Sequence, residues 1–132
     1  VSSAVRPFGA GEMESILRDA RRFNTEHEVT GVLLYCGGNL MQCIEGPRSS
    51  LEIVYGRIRA SRRHRDLIEL LNGPIDARSF PSWEMGYSEP TDSELVELST
   101  ARWEEIYRAA GVAPRRSWGL RHLRGFWERS RR

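Results

Sequence analysis

The fold is decided by the stretch Val29-Thr30-Gly31-Val32-Leu33-Leu34-Tyr35-Cys36, which is almost continuously apolar. A strand of this composition is typical of the centre of a sheet whose two faces are both covered. Gly37-Gly38-Asn39 comes next, and consecutive glycines supply the positive φ angles that a tight hairpin turn requires. The return strand from Leu40 to Glu45 then predicts an antiparallel pair at the centre of the molecule.

Further elements are expected on both sides of this hairpin, from helical spacing of apolar residues and from turn residues. They are a strand that ends at Val1–Ser3, a helix from about Gly11 to Glu26, a helix from about Leu51 to Ala60 or Ser61 capped by Ser49 or Ser50, a fourth strand at Leu67–Leu71, a fifth strand reached through Phe80–Tyr87, a helix near Leu95–Leu98 capped by Thr91 or Asp92, and a helix from Ala101 to Ala110. This order predicts an α+β sandwich, in which one mixed sheet carries two helices on a single face. In the second helix, the side chains expected to face inward are Ile53, Val54, Tyr55 and Ile58.

Composition limits the functions that the chain can have. Its 132 residues suit one domain of common size, and 39% hydrophobic with 29% charged residues predicts a folded, soluble protein. No apolar run approaches the roughly 18–20 residues that span a bilayer, and no secretory signal is visible, so a cytosolic location is expected. Cys36 and Cys43 lack a metal or redox spacing and the histidines are scattered, so we expect reduced thiols and no metal site.

Three features of the sequence could carry chemistry. Gln42 lies inside an apolar strand, where a buried amide needs partners; a core glutamine satisfied by the backbone is the alternative to a functional role. Asn24, near the end of the first helix, has the alternative of a C-terminal cap. Trp83 and Met85 are two residues apart on a predicted strand, so they are expected to point together into the core, where packing alone would explain them.

Taken together and in order, these positions fall in blocks that resemble one family. The blocks are Ile16-Leu17-Arg18-Asp19-Ala20-Arg21-Arg22-Phe23-Asn24, Val29 to Tyr35, Gln42-Cys43-Ile44-Glu45-Gly46-Pro47, Arg57-Ile58, Arg63-His64 and Arg78-Ser79-Phe80-Pro81-Ser82-Trp83-Glu84-Met85. They resemble the BLUF family of blue-light sensors over about residues 1–87, and the spacing between blocks follows the family pattern without gaps. Several motifs at the right mutual distances are far more specific than any one of them.

The resemblance implies a ferredoxin-like sheet that holds a flavin between its first two helices, FAD or alternatively FMN. By the resemblance, Asn24 holds the pyrimidine edge of the ring, and Gln42 contacts the N5/O4 edge and rearranges its hydrogen bonds after light absorption. Met85, with Trp83 nearby, would report that rearrangement. The remaining implied contacts are Ile16 and Ile58 along the ring, with Arg57, Arg63 and His64 toward the ribityl and phosphate side.

One residue of the family pattern, a tyrosine, is not found in this sequence. The family uses a tyrosine on its first strand, and the spacing from Asn24 places that tyrosine one residue before Val1. No tyrosine precedes Tyr35, which lies on the hairpin strand and is no substitute. Either the sequence belongs to a longer product that begins upstream, or the protein binds flavin with an altered photocycle; a sheet without most of its central strand would leave unpaired backbone groups, which favours the first.

The last third of the chain has a different character. Residues 113–132 carry a net charge of +6 and the remainder carries −4. Ser117–Arg132 interleaves aromatic and leucine side chains with arginines, which predicts an amphipathic helix docked on the open face of the sheet. The alternatives are contact with a partner protein, with nucleic acid or with an anionic membrane. We therefore expect a flavin-binding domain at residues 1–90 and a helical extension at residues 91–132.

These observations combine into a functional hypothesis. The chain is expected to be a bacterial blue-light photoreceptor, not an enzyme, that binds flavin non-covalently and signals to a partner protein in trans, and to form homo-oligomers. A flavin-free or photochemically impaired interaction module is the alternative. A small enzyme on a ferredoxin-like sheet is the third possibility, but no activated nucleophile, paired carboxylate or phosphate loop supports it.

Overall fold

The computed structural model describes residues 1–101 and 118–130, and these residues follow the expected order of elements. The elements are β1 (Ser2–Ala4), α1 (Ala10–Glu26), β2 (Thr30–Cys36), β3 (Asn39–Glu45), α2 (Arg48–Ala60), β4 (His64–Arg65), β5 (Gly86–Ser88), α3 (Asp92–Ser99) and α4 (Trp118–Ser130). The strands form one mixed sheet in the order β4-β1-β3-β2-β5, in which β2 and β5 are parallel and the other neighbours are antiparallel. This confirms the predicted α+β class.

The β2–β3 hairpin is the centre of the sheet, as predicted. Its seven residue pairs run without interruption from Thr30 opposite Glu45 to Cys36 opposite Asn39. The two turn residues, Gly37 and Gly38, have φ angles of 55° and 83°, which is the pattern of a two-residue hairpin turn that matches the twist of the strands.

The two faces of the sheet are covered by different elements, because successive side chains of a strand point to opposite sides. Leu33 and its partner Gln42 lie on the face that α1 covers, where Met13 and Leu17 complete a small apolar cluster. Val32, Leu34 and Met41 lie on the other face, in the larger cluster that includes side chains of α3 and α4.

Helix α4 covers the second face of the sheet. Its apolar side contributes four buried side chains to the large cluster: Leu120, Leu123, Phe126 and Trp127. The prediction that the arginine- and aromatic-rich segment docks on the sheet is therefore confirmed for Trp118–Ser130, the part of it that the structure describes. The predicted helix from Ala101 to Ala110 lies outside the described residues except for Ala101. Across residues 1–101 and 118–130, no helix combines the length and the apolar character that crossing a membrane needs.

The fourth strand lies elsewhere than predicted. β4 consists of His64–Arg65 paired with β1, and not of Leu67–Leu71. Pairing resumes at Ile68, whose backbone N–H donates to the Val1 carbonyl at 2.8 Å while the Val1 ammonium donates to the Ile68 carbonyl at 2.9 Å. The register shifts by one residue between these pairs, and Asp66, at φ 55°, lies in between. The strand is therefore interrupted by a bulge that its apolar residues do not reveal.

Three details of the helices also differ from prediction. α2 begins at Arg48 after the N-cap residue Pro47, and no side chain caps it, so the predicted Ser49 or Ser50 cap is wrong. Ile53, predicted to face inward, is 52% exposed, whereas its neighbour Val54 is buried. Consecutive residues of a helix point in different directions, so both cannot lie at the centre of its apolar face. α1 continues through Asn24 to Glu26 and is capped by His27, so the cap interpretation of Asn24 is wrong.

Candidate functional site

A cavity of about 1240 Å³ is lined by residues of α1, α2 and β3 and by residues 67–75, and its wall also reaches Leu120 and Leu123 of α4. The two helices contact each other through Arg57 of α2 and Phe23 of α1. The guanidinium carbon of Arg57 lies 4.2 Å from the ring centroid of Phe23. The sequence-predicted binding residues all line this cavity: Ile16, Asn24, Gln42, Arg57, Ile58, Arg63 and His64. Met85 lines it too, whereas Trp83 is absent from its wall.

Asn24 is the most buried polar side chain of the cavity wall, with 2% of its surface exposed. Its Nδ2 donates to the Glu84 carbonyl at 2.6 Å, which joins α1 to the segment that leads into β5. Its own backbone carbonyl accepts the N–H groups of His27 and Val29 as the helix ends. The amide is therefore held in a fixed position at the wall, by the backbone and by its side chain.

Gln42 lies in the middle of β3 with its side chain on the α1 face, opposite Leu33. Its Nε2 lies 3.9 Å from Met85 Sδ, within reach of a weak hydrogen bond to sulfur. A thioether is a poor acceptor compared with a carbonyl, so this contact constrains the amide weakly. Gln42 is thus a partly buried carboxamide at the cavity wall, next to a flexible and polarisable side chain.

Trp83 and Met85 pack on opposite faces of the sheet, so the prediction that they point together is wrong. Met85 is 1% exposed in the cluster under α1, while Trp83 packs against the large cluster and makes an edge contact with Trp127 at 5.3 Å between ring centroids. The physical reason is that β5 begins only at Gly86 and residues 84–85 form a bend. The alternation of a strand therefore does not apply to this segment.

His64 is placed by hydrogen bonds within the protein. Its Nε2 lies 2.6 Å from the Ile58 carbonyl, and because a carbonyl only accepts, this nitrogen carries the proton. Its Nδ1 lies 2.8 Å from Ser2 Oγ, which can donate to it. His64 thus ties the C-terminal half of α2 to β1, and it lines the cavity with both ring nitrogens already engaged.

Two residues near the site carry roles that sequence reasoning missed. Arg21 Nε donates to the Met85 carbonyl at 3.0 Å. Glu45 is buried, and its two carboxylate oxygens accept the N–H groups of Ser79 and Phe80, both at 2.8 Å. The signal available for Glu45 was its charge at the end of an apolar strand; Arg21 lies among other helix arginines, which offered none.

Comparison with known proteins bears directly on this fold and cavity. The profile of the BLUF family, described as sensors of blue-light using FAD, matches residues 1–86. The photoactivated adenylate cyclase subunit beta of Euglena longa is 35% identical over 82 residues, which are 62% of this chain and 10% of that protein. The blue light- and temperature-regulated antirepressor BluF of Escherichia coli (strain K12) is 35% identical over 98 residues, which are 74% of this chain and 22% of that protein.

Solved structures agree with these relatives. The BLUF protein BlrB in its dark state superimposes with a TM-score of 0.68 at 29% identity, covering 93% of this chain and 86% of that one. BlsA in its photo-activated state gives a TM-score of 0.65 at 26% identity, covering 83% of this chain and 74% of that one. The ferredoxin-like arrangement of the mixed sheet is that of these BLUF structures.

The fold, the cavity and the profile match together define a sensory flavoprotein domain. The chain belongs to the BLUF family, whose members use a flavin, FAD, to sense blue light. It spans about a tenth to a fifth of the length of the curated relatives described above. Those relatives come from Euglena as well as from a bacterium, so a bacterial origin stays a prediction.

Proposed function

We propose that this protein is a blue-light photoreceptor that binds flavin non-covalently between α1 and α2 and signals through hydrogen-bond rearrangement at Gln42. The observation that carries the proposal is one cavity lined by two side-chain amides, Asn24 on helix α1 and Gln42 on strand β3. The match of the BLUF profile over residues 1–86 supports flavin as the occupant.

The residues of the cavity suit a flat heteroaromatic ring with an anionic tail. Carboxamides offer a donor and an acceptor on one flat group, which complements alternating N–H and C=O groups along a ring edge. Ile16 and Ile58 provide apolar surface, while Arg57 and Arg63 bring positive charge to the α2 side of the cavity. A largely apolar cleft with a few convergent polar groups is typical of cofactor sites.

In this arrangement each residue has a distinct task. Asn24 holds its position through Glu84 and would fix the orientation of a ligand edge. FAD, when bound, supplies the absorption of blue light. Gln42 can rotate or tautomerise its amide, which exchanges the donor and acceptor that it presents to the cavity and to Met85. In a partly buried site few hydrogen-bond arrangements are available, so this exchange is a two-state element that illumination can bias.

The output of the exchange would leave the site through Met85. Met85 directly precedes β5, and β5 pairs in parallel with β2 at the centre of the sheet. A change in the Gln42–Met85 contact therefore reaches the sheet and the elements on its other face. We propose that a partner protein, or another copy of the chain, reads this change, and that this chain is itself a sensor and not an enzyme.

Absorption spectroscopy tests the proposal. Purified protein loaded with FAD should shift its visible absorption to the red by roughly 10 nm in blue light and return in darkness, since a hydrogen-bond change perturbs the transition only slightly. Gln42→Leu should retain flavin and lose the shift. Asn39→Leu replaces an exposed amide at the first residue of β3 that does not line the cavity; it is the matched control and should keep the shift.

Three results would count against the proposal. Protein that refuses FAD would favour a flavin-free interaction module. Bound flavin without a light-induced shift would favour an impaired photocycle. A shift that persists in Gln42→Leu would remove Gln42 from the mechanism.

A further inference from the structure

Three consecutive backbone carbonyls before β5 are held by three different donors. The Trp83 carbonyl accepts from the Gly31 N–H at 2.7 Å, on the neighbouring strand β2. The Glu84 carbonyl accepts from Asn24 Nδ2 at 2.6 Å, and the Met85 carbonyl accepts from Arg21 Nε at 3.0 Å. Two successive carbonyls thus point to α1, whereas in a regular strand successive carbonyls point in opposite directions.

Arg21 and Asn24 are three residues apart on α1, so they lie on one face of the helix, one turn from each other. Asn24 lines the cavity, but Arg21 does not. Arg21 is exposed, and its hydrogen bond to the Met85 carbonyl is what links it to a residue of the cavity wall. A hydrogen bond from a charged donor is stronger than one from a neutral donor, so this contact is suited to fix a carbonyl in a bend.

We propose that Arg21 is a positioning residue that holds the Met85 backbone in the bend and so keeps the Met85 side chain against Gln42. This inference rests on the proposed function and deepens it. The Met85 side chain is almost fully buried beside the Gln42 amide, so it restricts the space in which that amide can reorient. Without the Arg21 hydrogen bond, the Met85 backbone is less constrained, and the Gln42 amide reorients more easily.

The first test needs no flavin. Hydrogen exchange in flavin-free protein should be faster for the backbone N–H groups of Gly86–Ser88 in Arg21→Ala than in the unmodified protein. Arg18→Ala, which removes an exposed arginine from the same helix, is the matched control and should leave this exchange unchanged. Equal exchange in the two variants overturns the proposal.

The second test uses the light-induced shift. Arg21→Ala loaded with FAD should bind flavin as the unmodified protein does, and its shifted state should return in darkness roughly tenfold faster, the kinetic equivalent of about one hydrogen bond from a charged donor. Arg21→Lys, which keeps a charged donor, should restore a slower return. Arg18→Ala should differ from the unmodified protein by less than about twofold in the same measurement.

A third variant separates positioning from a general structural effect. If Arg21 acts through Met85, its replacement should alter the return rate less than about twofold in a Met85→Ala background, because interacting residues are not additive. An undiminished tenfold effect in that background overturns the proposal. Should the unmodified protein show no shift at all, the proposed function fails, and the exchange measurement alone then decides for or against the role of Arg21.

Discussion

The indole ring of Trp127 packs directly on the backbone of Gly86, the first residue of β5. A Cβ at Gly86 would overlap Cη2 and Cζ2 of that ring. Trp127 is buried at this contact and meets Trp83 edge to face, with an interplanar angle of 80°. Helix α4 can therefore take its position only because Gly86, the residue after Met85, has no side chain.

Replacing Gly86 by alanine should push α4 away from the sheet. Introducing a methyl group where no space exists costs typically about 1–3 kcal/mol of unfolding free energy. Urea denaturation followed by tryptophan fluorescence measures this loss. Gly56→Ala, within α2 and with nothing near its added Cβ, is the control and should stabilise by about 0.5–1 kcal/mol. Equal stability of the two variants would show that Trp127 does not pack on Gly86.

Glu45→Gln should destabilise the protein although it preserves shape. The carboxylate accepts two backbone N–H groups, from Ser79 and Phe80, whereas a carboxamide has one acceptor oxygen and turns an NH₂ group toward the second donor. A buried donor left without a partner costs about 1–3 kcal/mol. Chemical denaturation at neutral pH measures the loss, and Glu52→Gln on the exposed face of α2 should change stability by less than about 0.5 kcal/mol. If the unfolding free energy of Glu45→Gln equalled that of the unmodified protein within error, this role of Glu45 would be wrong.

Asn24→Asp should also be destabilising at neutral pH. Asn24 Nδ2 donates to the Glu84 carbonyl, and an ionised carboxylate at this buried position would face that carbonyl without a proton to donate. The expected loss is about 2–3 kcal/mol of unfolding free energy, and part of it should return in acid, where the carboxyl is protonated and can donate. Asn39→Asp, at an exposed position of β3, is the control and should change stability by less than about 0.5 kcal/mol. A neutral effect of Asn24→Asp would mean that the Glu84 contact contributes nothing.

The start of α3 gives a pH-dependent prediction. Thr91 and Glu94 form a reciprocal capping box, and hydrogen bonds from Thr91 lower the pKa of Glu94. Because the folded pKa lies below the unfolded one, this stabilisation is complete above the unfolded pKa and is lost as pH falls through the folded pKa. Glu94→Ala should therefore destabilise the protein at pH 7, and its difference from the unmodified protein should shrink in acid. A difference that does not depend on pH would exclude the charge of Glu94 as its source.

Much of the fold could be predicted from local sequence patterns. The apolar run of β2, the glycine pair of the turn and the amphipathic α1 and α4 each specify their element through periodicity or backbone freedom, and all four are present. The positions where prediction failed depend on contacts distant in sequence. The bulge at Asp66 serves the pairing of Ile68 with Val1, and the bend at Met85 is held by α1.

In the candidate site, too, some features could be predicted from the sequence and others depend on contacts between distant residues. The resemblance to a family gave the residues that line the cavity, but not the direction of Trp83, because a period of two holds only within a strand. Arg21 could not be distinguished from Arg18 and Arg22, which are exposed as it is, since its role depends on one carbonyl 64 residues later in the chain.

Rearrangement of the Gln42 hydrogen bonds in light can be observed at the side-chain amide of Gln42 itself. Its ¹⁵N–¹H resonances, assigned by their absence in Gln42→Leu, should be followed in FAD-loaded protein in darkness, under blue light and after return to darkness. The Gln42 resonances should move on illumination and return with the same time course as the absorption shift, while those of Asn24 should move little because its amide is bound to Glu84. An absorption shift accompanied by unchanged Gln42 resonances would contradict this rearrangement.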